Sequence, residues 1–428
     1  MRLTIPAMAA LAVAAAGCDF NGPTQEPLSK LRHAHLLEDA RQSGRTAGKR
    51  DNALGLIVSM KPGAVVRRYR VLERYKVLER YQTSARFEYQ EAFSGFALTI
   101  EDTTGGTDFS AILRALQDDA DIAWMEPDFD VESVPSLPEH SHAGQRIPWS
   151  VAMAGGQESS AISGDGQGAV PVPVYVLDTG ISNPDLNVVE ALDFRGDLIA
   201  DPADHDGHGT HVAGILAAVD DADGLVGIAP GALVHNYKVL GDDGTADVSV
   251  VIAAVEHLID LRRTDPDRPM VVNLSLGEYI GSESPTALDE AVATLAAAGA
   301  VVVVAAGNQA VDASHVTPAH VADVITVGAH DADGVLAPYS NFGSVIDLLA
   351  PGTGIVSLAP SVSDSGAPAR MTGTSMAAPH VAGAAALYLW ANPRATPSEV
   401  RSALVAAARP GIRVHGGTTD RALYVADF

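Results

Sequence analysis

From Pro148 onward the chain alternates short, continuous apolar runs with longer stretches whose apolar residues return every three to four positions. Residues 172–177, 233–239, 270–276, 301–305 and 324–327 read as strands, and 211–219, 248–262, 285–298 and 375–390 as helices. Strands with no polar alternate position must be covered on both faces, as in a parallel sheet flanked by helices. The predicted fold is α/β: a doubly wound, mostly parallel sheet with helices on both faces. In such sheets functional residues gather at the carboxyl ends of the strands.

The earlier part of the chain follows a different rhythm. Residues 55–60 predict a strand, 64–83 a helix, 87–90 and 93–100 two strands, 109–117 a helix and 122–125 a last strand. This β-α-β-β-α-β order predicts a small α+β, ferredoxin-like domain over 54–134. Within its first helix, Arg70-Val-Leu-Glu-Arg-Tyr75 is repeated at once as Lys76-Val-Leu-Glu-Arg-Tyr81. A six-residue period fits no solenoid and drifts around a helix, so it reads as a local duplication. Pro135, Pro138 and nearby His and Gly residues make 135–146 a linker that is cut to create a mature N-terminus, with 147–428 as the main domain. Residues 18–53, rich in Pro, Gly, Gln, Arg and Lys, read as a flexible tether. Residues 1–17 carry one early charge, Arg2, and an apolar run from Leu3 to Ala16. That run is too short to span a bilayer and reads as a secretory signal.

Composition narrows the function. With 28 Lys+Arg against 53 Asp+Glu, the net charge is −25, which argues against nucleic acid or anionic lipid as a partner. Most of that charge reads as solvated surface. The one cysteine, Cys18, excludes an intramolecular disulfide. Ala15-Ala16-Gly17-Cys18 is similar to a bacterial lipobox, whose cysteine is lipidated after cleavage, although Ala15 stands where leucine is usual. Cleavage after Ala14-Ala15-Ala16, leaving Cys18 a thiol, is the alternative.

Three short motifs carry chemistry. Asp178 ends a strand and precedes Thr179-Gly180; alone it would be a turn-former. His208 sits in Asp206-Gly-His-Gly-Thr-His211 at a helix start, and Ser375 in Gly373-Thr-Ser-Met-Ala-Ala-Pro379, where a lone serine would be an N-cap. Together they form an acid, a base and a nucleophile in the chain order Asp, His, Ser. Val301-Val-Val-Val-Ala-Ala-Gly-Asn308 ends a buried strand with a carboxamide able to donate to an oxyanion. The Gly-x-Ser-x-Ala context of Ser375 departs from the Gly-x-Ser-x-Gly elbow of α/β-hydrolases.

Asp178-Thr-Gly, His208-Gly-Thr-His-Val-Ala-Gly214 and Gly373-Thr-Ser-Met-Ala-Ala-Pro-His380 resemble the three signature blocks of the subtilisin-like serine proteases, over about residues 144–428. Residues 54–130, ending in Trp124-Met-Glu-Pro-Asp128, are similar to the family's inhibitory propeptide. The resemblance implies a self-processing serine endopeptidase with catalytic Asp178, His208 and Ser375 and with Asn308 in the oxyanion hole. It implies Gly244-Thr245-Ala246 and Ser275-Leu276-Gly277 as the two rims of a groove for polypeptide substrates. Ala305, Ala306, Gly307 and Val316 would line a primary pocket for an apolar side chain. Asp242, Asp243 and Asp247 near the outer rim could tolerate basic residues upstream, or be solvated loop charges. The resemblance also implies structural calcium. One site would use the side chains of Gln145, Asp185 and Asp221 and the carbonyls of Val219, Asp223 and Leu225. A second would use Asp347 with the carbonyls of Ala322 and Val324. No organic cofactor is called for, and a monomer is expected.

Overall fold

The computed structural model describes residues 29–33, 53–61, 81–102, 110–132, 145–196, 200–221, 224–361 and 368–428. The predicted signal, Cys18, most of the tether, the helix over 64–80 and the linker 133–144 lie outside these residues. No helix of the described residues is long and apolar enough to cross a membrane.

The first described domain is a four-stranded antiparallel sheet of β1 (Ala53–Met60), β2 (Tyr81–Tyr89), β3 (Gly95–Asp102) and β4 (Ile122–Pro127), in the order β2-β3-β1-β4. One helix, α1 (Ser110–Asp118), links β3 to β4. The order is that of a ferredoxin-like domain. Residues 81–83, predicted to end a helix, instead open β2, where Tyr81 pairs with Asp102 and Gln82 with Glu101. The ladder to β3 overrides the helical period of the duplicated segment. Residues 29–33 depart from the tether expectation too, because Leu31 bridges Met125 on the free edge of β4. A short strand, β5 (Asp130–Glu132), leaves this domain.

After a short helix, α2 (Trp149–Met153), the main sheet begins. Its strands are β6 (Pro173–Asp178), β7 (Val188–Asp193), β8 (Leu233–Lys238), β10 (Val271–Leu274), β12 (Val301–Ala305), β14 (Ile325–His330), β15 (Leu348–Pro351), β18 (Arg409–Pro410) and β19 (Arg421–Ala422). They run β18-β19-β15-β14-β12-β10-β6-β8-β7, all parallel except the β18–β19 pair. The small pairs are β9 (Thr245–Asp247) with β5, β11 (Glu278–Tyr279) with β13 (Val316–Thr317), and β16 (Ile355–Ser357) with β17 (Ala369–Met371).

Alternate residues of the central strands feed two cores. Val174, Val176, Val301 and Val303 face α3 (His208–Ala217) and α6 (Thr374–Ala391). Tyr175, Leu177, Val302 and Val304 face α4 (Val248–Thr264) and α5 (Ala287–Ala297). Each buried Val or Leu contributes about 1.5–3 kcal/mol. Helix α6 is buried from Thr374 through Leu387, and its Ala and Gly residues allow that close packing. A Cβ on Gly383 would come 2.7 Å from Ile228 Cβ. The last helix, α7 (Pro397–Ala407), starts in a capping box between Thr396 and Glu399.

Candidate active site

Asp178 is the last residue of β6 and His208 the first of α3, so the sheet edge and a helix start bring them together. Asp178 Oδ1 accepts from His208 Nδ1 at 2.7 Å and from Thr179 N at 2.7 Å, with both side chains buried. Glycine is required at position 209, since a Cβ there would collide with the Gly180 carbonyl and sit 3.1 Å from Asp178 Cβ. Burial disfavours the charged imidazole, but the Asp178 charge and hydrogen bond outweigh it and raise the His208 pKa above 6.5.

Ser375 is the second residue of α6, at the positive end of the helix. Pro379 has no N–H to give the Ser375 carbonyl four residues back, and Ser275 Oγ donates to that oxygen instead at 2.8 Å. Ser375 Oγ donates to the Ser275 carbonyl at 3.0 Å, while His208 Nε2 has no hydrogen-bond partner among the described residues. Asn308 lies three residues past β12. Its Oδ1 accepts from Thr374 N at 2.8 Å, which fixes the amide so that Nδ2 is buried and bonded to no other described group. Gly307 N donates to Thr374 Oγ1 at 3.0 Å and ties this turn to the start of α6.

Two supporting residues were not legible as such in the sequence. Buried Asp204 accepts from Thr179 Oγ1 at 2.9 Å, Gly207 N at 2.8 Å and Thr210 N at 2.9 Å, joining the turn after Asp178 to the first turn of α3. Lys238, fully buried, donates to the carbonyls of Thr179 and Ala203 and to Asp242 Oδ1 at 2.9 Å. An Asp shortly before a His-containing helix start was the only available signal. Lys238 ended a strand and gave none.

The residues expected to form the two rims lie on separate elements. Residues 245–247 form β9, and β5 pairs with it: Asp130 with Asp247, Val131 with Ala246, Glu132 with Thr245. On the other side Ser275 and Leu276 are buried, and a Cβ on Gly277 would meet the Thr317 carbonyl at 2.7 Å. Tyr279 pairs with Val316. Ala305, Ala306 and Val316 are buried, and Gly307 adopts a positive φ. Asp242 is held by Lys238, and Asp243 Oδ1 accepts from Thr245 Oγ1 at 3.0 Å, so both serve the local loop.

The two predicted calcium sites fare differently. Around the first, Arg146 N donates to the Gly224 carbonyl at 2.9 Å, Gln145 Nε2 reaches the Val219 carbonyl at 3.3 Å, and Val219 N donates to the Asp185 carbonyl at 3.2 Å. Asp185 Oδ2 is buried, and only a glycine at 224 leaves room, since a Cβ would be 2.7 Å from that oxygen. Asp221 is exposed on the same loop, and Asp223 lies outside the described residues. No group of three or more His, Cys, Asp or Glu among the described residues is placed to hold a metal ion by itself. A mixed set of carboxylate, amide and carbonyl oxygens nevertheless suits a hard cation. The second site is corrected. Arg401 donates to Asp347 Oδ1 from Nε at 2.8 Å and Nη2 at 2.5 Å, and from Nη1 to the Ala322 carbonyl at 2.8 Å. A guanidinium already supplies the cation these oxygens would hold.

A doubly wound sheet carrying a buried Asp–His pair and a helix-start serine at its carboxyl edge is the arrangement of a serine hydrolase, without the nucleophile elbow of the α/β-hydrolases. The chain belongs to the subtilase family, whose model matches residues 171–423, and it is a serine endopeptidase. It is 36% identical over 332 residues to an extracellular serine proteinase of Thermus sp. (strain Rt41A), covering 77% of this chain and 74% of that one. Subtilisin BL of Lederbergia lenta is 38% identical over 267 residues, covering 61% of this chain and 90% of its own. Among solved structures, a cold adapted subtilisin-like serine proteinase superposes with a TM-score of 0.55 at 34% identity, covering 65% of this chain and 97% of that one.

Proposed function

We propose that the chain is the precursor of an exported endopeptidase, in which Asp178, His208, Ser375 and Asn308 perform the reaction and residues 54–134 keep the groove filled until they are cut away. The observation that carries this reading is the antiparallel ladder between β5 and β9. An extended peptide would bind there by the same strand addition, reading main chain more than side chain. The apolar walls at Ala305, Ala306 and Val316 favour an apolar residue before the scissile bond. Export is supported by the apolar start of the chain and by the extracellular relative; Cys18 is the candidate lipid attachment point. A monomer acting on polypeptides completes the reading.

In the reaction, Ser375 Oγ turns from the Ser275 carbonyl to His208 Nε2, gives up its proton there and attacks the peptide carbonyl carbon. Asp178 holds the imidazole with Nδ1–H toward itself and stabilises the imidazolium. The oxyanion is received by Asn308 Nδ2 and the N–H groups at the start of α6. His208 passes the proton to the leaving amine, whose departure leaves Ser375 acylated. Water, deprotonated by His208, then cleaves the ester. Gln145, Asp185, Asp221 and the carbonyls of Val219, Asp223 and Leu225 would hold calcium, which supplies stability and takes no part in the chemistry.

Full-length Ser375→Ala tests this assignment. It should hydrolyse no peptide and stay at precursor size, while a serine-directed phosphonylating reagent labels the wild type at Ser375. A Ser375→Ala chain that still matures and digests casein would falsify the assignment.

A further inference from the structure

Residues 29–33 belong to a stretch whose composition announces a flexible tether, yet every one of them is engaged. Met125 N donates to the Lys30 carbonyl at 2.9 Å and Arg32 N to the Met125 carbonyl at 2.8 Å, a parallel addition to the free edge of β4. Lys30 N donates to Gln117 Oε1 at 2.8 Å, Lys30 Nζ to the Asp119 carbonyl at 2.6 Å, and Gln117 Nε2 to Ser29 Oγ at 2.8 Å, fastening the segment to the end of α1. The next two side chains cross to the main domain. The Arg32 guanidinium lies 4.0 Å over the Trp124 ring and pairs with Glu290 Oε1 at 2.7 Å, and His33 Nε2 is 3.3 Å from the Pro285 carbonyl. Pro285 and Glu290 flank the start of α5, the helix end that Glu126 of β4 also meets by accepting from Ala287 N at 2.8 Å.

We infer that Ser29–His33 is a latch that fastens the N-terminal domain to the endopeptidase, with Arg32 as the bolt across the seam. The inference rests on the precursor reading above and extends it. The domain is held in the groove by β5, at α5 by Glu126, and over the seam by a segment that is not part of the domain's own fold. A strand added to an open sheet edge is a stable mount for such a bolt, since it satisfies backbone groups that would otherwise face water. Arg32 joins a stacking contact to an ion pair, each partly shielded from solvent. Its loss should therefore hasten release of the N-terminal fragment by about three- to thirtyfold, the combined range for an exposed pair and a cation–π contact.

The test uses full-length chains. After refolding, the onset of peptidase activity and the appearance of free N-terminal fragment are timed for wild type, Arg32→Ala, Arg32→Glu, and Arg32→Glu combined with Glu290→Arg. The single variants should shorten the lag, the charge swap should restore the part of it due to the ion pair but not the part due to stacking on Trp124, and final kcat/KM should be the same for all four. An unchanged lag in Arg32→Ala and Arg32→Glu, with the fragment still released, overturns the latch alone. A swap whose lag is no longer than that of Arg32→Glu alone overturns the Arg32–Glu290 contact as part of its basis. A wild-type chain that is fully active with residues 29–132 still attached overturns the precursor reading, and the latch with it.

Discussion

At the scale of single residues, the Asn308 amide is oriented by one bond, from Thr374 N to its Oδ1. Asn308→Ala should therefore lower kcat by about 10²–10³ with little change in KM, a magnitude taken over from the equivalent donor of subtilisin itself. Steady-state kinetics on a peptide anilide would decide it; a loss confined to KM would put Asn308 in ground-state binding. His208 works as a base only when neutral, and Asp178 raises its pKa above 6.5. The proton must come off before catalysis, so kcat/KM should rise with pH through an apparent pKa above that value and fall away below it. A pH–rate profile for Asp178→Asn should show that inflection at lower pH, on a much lower plateau. The Asp, His and Ser of this site were legible because each sits in a motif. Asp204 and Lys238 were not, because what marks them is burial beside a turn 25 to 59 residues away.

Among the elements, those with a strong apolar pattern were read to within a few residues, and β12 over Val301–Ala305 is an example. Strand β7 was missed because it is an edge, largely exposed along Val188–Glu190, and its polar positions hide it. Helix α7 was missed although Thr396 and Glu399 spell its capping box. Arg401 of that helix is what overturns the second calcium site, across 54 residues that no local pattern connects. Calcium should accordingly bind with a stoichiometry of one, counted by elemental analysis of dialysed protein. Chelation should shorten the half-life at elevated temperature far more than it lowers the initial rate. A hundredfold excess over Kd should stabilise by about 2.7 kcal/mol. Asp185→Asn should mimic chelation, and Asp347→Asn should leave the ion count unchanged. Melting that ignores both EDTA and added Ca²⁺ would remove the site.

For the molecule as a whole, the change of apolar rhythm near Pro148 separates an α+β pattern from a doubly wound one in the sequence, but nothing in it shows how one part grips the other. Grip depends on pairings such as Val131 with Ala246 and Arg32 with Glu290, whose partners are far apart in sequence and individually unremarkable. The β5–β9 ladder has a consequence for how the block depends on concentration. On the precursor reading, β5 is tethered to the domain it blocks while the chain is whole, at an effective concentration in the millimolar range for a short connection. Cutting the connection leaves the contacts unaltered but makes them bimolecular, so the block thereafter obeys mass action. A larger fraction of the cut enzyme should then be active the more dilute the sample, and an active fraction independent of protein concentration between micromolar and nanomolar would refute this. On the precursor reading, the cut enzyme stays silent inside a crowded compartment, and dispersal into a large volume is itself the signal that turns it on.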